Sequence, residues 1–162
     1  MNIPINIFIF FMPLIIMSTS QVEGVYIQND NSIEIGKNIY STGIGESDQK
    51  VMAIVSGNEM PASMMACANC HGKCGEGITL QGVDIPDIRR NNHIQRYQID
   101  QSAENVDKFV NSKLKRTISM GVNHEGDNMH NMMPRYKMSL SDMNHLLAYL
   151  AVLGEDENCT EK

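Results

Sequence analysis

The stretch CANCH, residues 67–71, constrains this chain more than any other feature. Two cysteines three positions apart, followed directly by a histidine, form the C-x-x-C-H signature of covalent haem attachment. The chemistry needs this spacing. Two thioether bonds to the haem vinyl groups must come from one short turn, and a separation of three places both sulfurs on one side of it. The adjacent His71 imidazole then reaches the iron from the proximal side. Other readings compete. A redox dithiol of the C-x-x-C type follows a strand in a βαβ context, and no such pattern stands here. Zinc held by Cys67, Cys70, His71 and Cys74 has suitable donors, but zinc ligands usually come as two separated pairs. The spacing of Cys67, Cys70 and Cys74 fits an iron–sulfur cluster poorly. A Cys67–Cys70 disulfide closes a cramped loop.

Residues 1–20, MNIPINIFIFFMPLIIMSTS, carry no charged side chain, and 3–17 are almost wholly apolar. That run is shorter than the roughly 20 residues of a membrane span. Pro13 interrupts it, and the small residues Ser18 and Ser20 sit where a signal peptidase reads. The reading is a secretory signal peptide cut between Ser20 and Gln21, with an uncleaved anchor as its rival. The n-region lacks Lys and Arg, so the α-amino group must supply its positive charge. Cleavage removes Phe8, Phe10 and Phe11 and leaves Phe109 as the last Phe in a chain with no Trp. A core so poor in large aromatics needs something else large and apolar inside it. Export also sets the compartment as oxidising, where cysteines pair.

The length of 162 residues suits one domain. A net charge of −6 excludes nucleic acid as a partner, because polyanion binding needs a basic surface to release counterions. The densest basic cluster, Lys113, Lys115 and Arg116, falls inside an amphipathic helix.

Along the chain, 32–41 reads as a short helix interrupted by Gly36, and KVMAIVSG (50–57) as an extended piece within a loop. Residues 64–72 read as one helical stretch carrying the motif. Residues 72–101, rich in Gly, read as a long irregular connection; such loops are functional or wrapped on something. Ser102 reads as the cap of a helix whose apolar stripe is Val106, Phe109, Val110, Leu114 and Ile118. Gly121 stops it. Residues 122–138 read as another loop, with His124, His130 and the string MHNMMPRY. Ser141 opens the last helix, lined by Leu146, Leu147, Leu150 and Leu153, and Gly154 ends it. The acidic tail 155–162 closes the chain. The expected fold class is therefore all-α, three to four helices joined by long loops around one haem.

CANCHGKCGEG (67–77), MPRY (133–136) and SDMNHLLAYLAVL (141–153) together span most of the chain after the signal segment. In this combination the chain resembles small monohaem bacterial cytochromes c. The resemblance implies a cytochrome c fold over 21–154, with haem c attached through Cys67 and Cys70. It implies His71 as proximal ligand, Met133 as distal ligand, and Pro86 as the residue whose carbonyl accepts the proximal imidazole N–H. That bond would fix the tautomer. Arg89, Arg90, Arg135 and Tyr136 are candidates for the haem propionates. Met133 is preferred to Met132 because Pro134 stiffens the loop directly after it, although most of the 13 Met are core filler. His124 and His130 are alternative ligands or exposed loop residues. His93 and His145 read as surface or helix-face residues. Cys74 and Cys159 depart from the family pattern. A mutual disulfide, free thiols and an intermolecular bridge all remain open. The segment before the motif is long and reads as an insertion that covers the haem edge, meets a partner or is plain surface.

The implied function is periplasmic transfer of single electrons to or from a redox protein partner: an oxidase, reductase or dehydrogenase. Membrane contact would come only through a partner complex or an uncleaved signal. The alternative is a haem-containing subunit of a periplasmic oxidoreductase complex, acting on a sulfur compound, an alcohol or another small substrate, with a labile distal ligand. A carrier or redox subunit is favoured over a stand-alone enzyme.

Overall fold

The computed structural model describes residues 30–46, 50–100, 105–155 and 159. Residues 1–20, read above as a signal peptide, Ser102 and most of the tail lie outside the described residues. Helix α1 (Asp30–Thr42) is followed by strands β1 (Met52–Val55) and β2 (Asn58–Pro61) and a 3-10 turn, Ala62–Met64. Helix α2 (Cys67–His71) comes next, then β3 (Ile78–Leu80), β4 (Val83–Ile85) and α3 (Arg90–Arg96). Helix α4 (Val106–Met120), β5 (Arg135–Lys137) and α5 (Leu140–Leu150) complete the order.

The most extensive packing joins α1 to α5. Gly36 makes it close: a Cβ there would lie 2.0 Å from the His145 carbonyl oxygen and 2.7 Å from Tyr149 Cβ. Ile39 and Tyr40, on the same face of α1, are buried with Leu146, Leu147, Tyr149 and Leu150 of α5. Overpacking such a crossing costs about 1–3 kcal/mol. Gly36→Ala is therefore expected to lower the melting midpoint by roughly 4–12 °C. An unshifted thermal transition by circular dichroism would rule out the tight crossing.

Helix α5 begins at Leu140, one residue before the expected Ser141. Ser139 is its cap; its hydroxyl accepts from the Asp142 backbone N–H and donates to the Asp142 carboxylate. Asp142 is fully buried because that carboxylate also accepts the Glu46 backbone N–H at 2.9 Å. On α4, Val106, Val110, Leu114 and Ile118 are buried as the stripe predicts, and Gly121 ends the helix. Phe109 is a correction: it lies 46% exposed at the edge of the stripe, with the Lys113 ammonium over its ring.

The all-α expectation holds for the helices and fails for the connections. Five helices stand among the described residues, together with two small antiparallel sheets. The expected extended piece at 50–57 is β1, but it belongs to a three-stranded sheet in the order β2-β1-β5. Ser56 and Gly57 both have positive φ, which is the two-residue turn geometry that matches the twist of paired strands. The segment expected to be an irregular connection likewise holds regular structure over its described residues 72–100, the β3–β4 hairpin and α3. Among the described residues no helix is long and apolar enough to cross a membrane.

Candidate functional site

Helix α2 carries the motif and buries His71 to 6% exposure. The chain then doubles back: Gly77 N–H donates to the His71 carbonyl at 2.8 Å, and the β3–β4 hairpin returns to Pro86. The Pro86 carbonyl lies 3.0 Å from His71 Nδ1. A carbonyl only accepts, so Nδ1 holds the proton and Nε2 keeps a free lone pair, the donor form of a metal-binding imidazole. Burial lowers the His71 pKa, which favours that neutral ring. Tyr40 of α1 braces the turn by donating to the Gly72 carbonyl at 2.6 Å.

Cys67 and Cys70 are free. Burial pushes the Cys67 thiol up to about 11, whereas a redox dithiol works through a thiol whose pKa is lowered. Cys74 forms a disulfide with Cys159, their Cα atoms 5.6 Å apart. The pairing left open by the sequence is thereby settled, and the fourth donor of the zinc reading is consumed. Among the described residues no group of three or more His, Cys, Asp or Glu is placed so that it could hold a metal ion.

Two cavities meet at Cys67, His71, Pro86, Met129 and Met133, with volumes of about 80 and 320 Å³. Their walls are mainly apolar. The larger is closed by Tyr40, by Leu114 and Ile118 of α4, and by Leu146 and Leu150 of α5. Free thiols, an imidazole lone pair and thioethers thus border apolar space that the helices do not fill. This donor set and these walls fit haem, with Cys67 and Cys70 able to anchor it and His71 able to ligate its iron.

Met133 and Met129 line both cavities, while Met132 lines the smaller one. Met133 is positioned by its N–H, which donates to the His130 carbonyl at 2.9 Å, and by the buried Pro134 that follows. Tyr136 is buried and lines the smaller cavity, its hydroxyl donating to the Met65 carbonyl at 2.6 Å. Arg89 lines neither cavity; its guanidinium is engaged by the Asp87 carboxylate. Arg90 pairs with Asp107 at 2.7 Å. Arg135 is exposed, packs on Gly121, and borders a third cavity beside Met133.

His93 corrects the surface reading. It is 3% exposed on the wall of the larger cavity, and neither ring nitrogen has a hydrogen-bond partner at good geometry. Burial lowers its pKa to about 4, so the ring is neutral. It neighbours Tyr97, whose ring lies 5.6 Å from His93 and 4.8 Å from His124. His124 and Arg96 share this wall, and His130 is exposed. His145 stands off the site, its ring bonded to Ser32 at 2.7 Å. The sequence reading missed this aromatic wall because α3 lies in a segment read as irregular; RNNHIQRY repeats His93 and Tyr97 at i, i+4, the one available signal.

The family model described as Cytochrome c matches residues 54–154. No curated protein and no solved structure matches the chain significantly. The family match covers more than half of the chain and takes in α2, the cavity walls apart from Tyr40, Met133 and α5. The chain therefore belongs to the cytochrome c family, haem proteins of electron transfer in which haem c is covalently bound.

Proposed function

We propose that this chain is a small monohaem electron carrier of the bacterial type, with haem anchored through Cys67 and Cys70 and ligated by His71 and Met133. The observation that carries this reading is the His71–Pro86 bond, which leaves a free Nε2 lone pair on a cavity wall that Met133 shares. When bound, the haem supplies an iron that gains and loses a single electron. The residues of the chain provide the rest. Pro86 orients the imidazole, Leu114, Ile118, Leu146 and Leu150 exclude water, and the Met133 thioether is a soft donor that favours the ferrous state. Held by both His71 and Met133, the haem would offer no open site for a substrate.

Partners would be redox proteins, an oxidase, reductase or dehydrogenase, met in small and short-lived encounters. The signal-like segment 1–20 and the Cys74–Cys159 disulfide support a periplasmic location, since disulfides persist in oxidising compartments. One observation favours the second reading, a redox subunit with a labile distal ligand: a cavity of about 350 Å³ borders Met133 between Ser56, Asn128 and Arg135.

Expression with the native leader in a host that matures c-type cytochromes tests the proposal. A c-type spectrum is expected in both oxidation states, with a far-red methionine–ferric band and no change under carbon monoxide. A carbon monoxide shift in the native protein would move the second reading ahead. A colourless product, beside a control cytochrome that matures, would sink the haem anchoring.

A further inference from the structure

The chain leaves Met133-Pro134 and enters β5 at once. There it pairs with β1, Ile54 opposite Arg135, Ala53 opposite Tyr136 and Met52 opposite Lys137. Strand β1 is held in turn along its whole length by β2, and Glu59 of β2 forms an ion pair with Lys137. Tyr136 adds a third tie. Its hydroxyl donates to the Met65 carbonyl, two residues before Cys67. Ala53 is fully buried and Tyr136 5% exposed, so this junction is a packed one. On the other side of Met133 the described backbone restraints are looser: Met129 N–H to Gly121 and Met133 N–H to His130, within a loop whose His130 and Asn131 are exposed.

We propose that the β1–β2 hairpin and Tyr136 form a clasp that holds the Met133 loop over the cofactor cavity and so keeps the sixth position closed to outside ligands. The inference rests on Met133 as distal ligand. The physical argument is a population one. An outside ligand binds only when the loop is open, so its apparent affinity scales with the open fraction. The ladder and the Tyr136 bond lower that fraction without touching the iron. The long segment before the cysteine motif then serves as a second wall for the distal loop rather than as spare surface.

The test uses the haem-loaded protein and imidazole as the outside ligand to ferric iron. Tyr136→Phe keeps the ring and removes the hydroxyl. It is expected to tighten imidazole binding about five- to tenfold, the population change produced by losing one hydrogen bond. An unchanged imidazole affinity overturns the clasp. A second measurement needs no variant. Hydrogen exchange of the native protein should show residues 52–55 and 135–137 losing protection together when imidazole displaces Met133, with α1 and α5 unaffected, because the coupling must be reciprocal. Unchanged protection of β1 also overturns it. Met133→Ala separates the two levels: if it binds imidazole no more tightly than the native protein, the distal assignment fails and the clasp with it.

Discussion

Met133→Ala is expected to abolish the far-red band of the ferric protein, open the iron to carbon monoxide, and lower the reduction potential. Axial ligation spans a range of about 0.8 V in haem proteins; loss of a soft thioether should move the potential down by on the order of 0.1–0.3 V within it. The direction follows from donor chemistry: the thioether stabilises ferrous iron, and water or hydroxide in its place stabilises ferric iron. Met129 and Met132 are the internal controls, since both line the cavities near Met133. Either alanine variant should keep the band. Loss of the band in Met129→Ala or Met132→Ala, with its retention in Met133→Ala, would transfer the ligand role. Visible spectra and a spectroelectrochemical titration decide it.

Removing the Cys74–Cys159 disulfide should produce the largest loss of stability. The bridge joins residues separated by 85 positions, and closing a loop of that order is worth about 4–5 kcal/mol by chain entropy, with measured values typically about 2–4. Cys74→Ser/Cys159→Ser is therefore expected to lower the melting midpoint by roughly 5–15 °C. The visible spectrum should stay intact, because neither sulfur lines the two cavities. The physical source is the denatured chain, which gains freedom when the tail is released from the loop after the haem motif. Calorimetry of the native and double-variant holoproteins, and of the native protein with reductant, is the check. An unshifted midpoint in the double variant would show that the bridge does not constrain the unfolded chain.

Helices α4 and α5 were legible because their apolar residues recur at helical spacing. Val106, Val110, Leu114 and Ile118 gave away the inner face of α4, and Leu146, Leu147 and Leu150 that of α5. The strands were much less so. Strand β5 is three residues long, too short to show a period of two, and it exists because β1 lies beside it. Strand β1 itself was visible as an extended piece, but nothing in KVMAIVSG says that its partner lies about eighty positions away. Helix α3 was hidden in a stretch punctuated by glycines, and with it the buried His93.

The site divides in the same way. The cysteine pair and His71 could be read as candidates directly, because covalent attachment demands particular atoms at close spacing along the chain; the Met-Pro pair entered only through the family resemblance. By itself the sequence determined the candidates for this chemistry, the helical faces and the expectation that a ligand fills the core. What only tertiary structure decided were contacts between distant segments: Cys74 with Cys159, the Tyr136 hydroxyl on the Met65 carbonyl, and the ladder between β1 and β5 that follows Met133. Local spacing encodes which groups can react. Which of them meet depends on how helices and strands pack, and packing is a property of the whole chain.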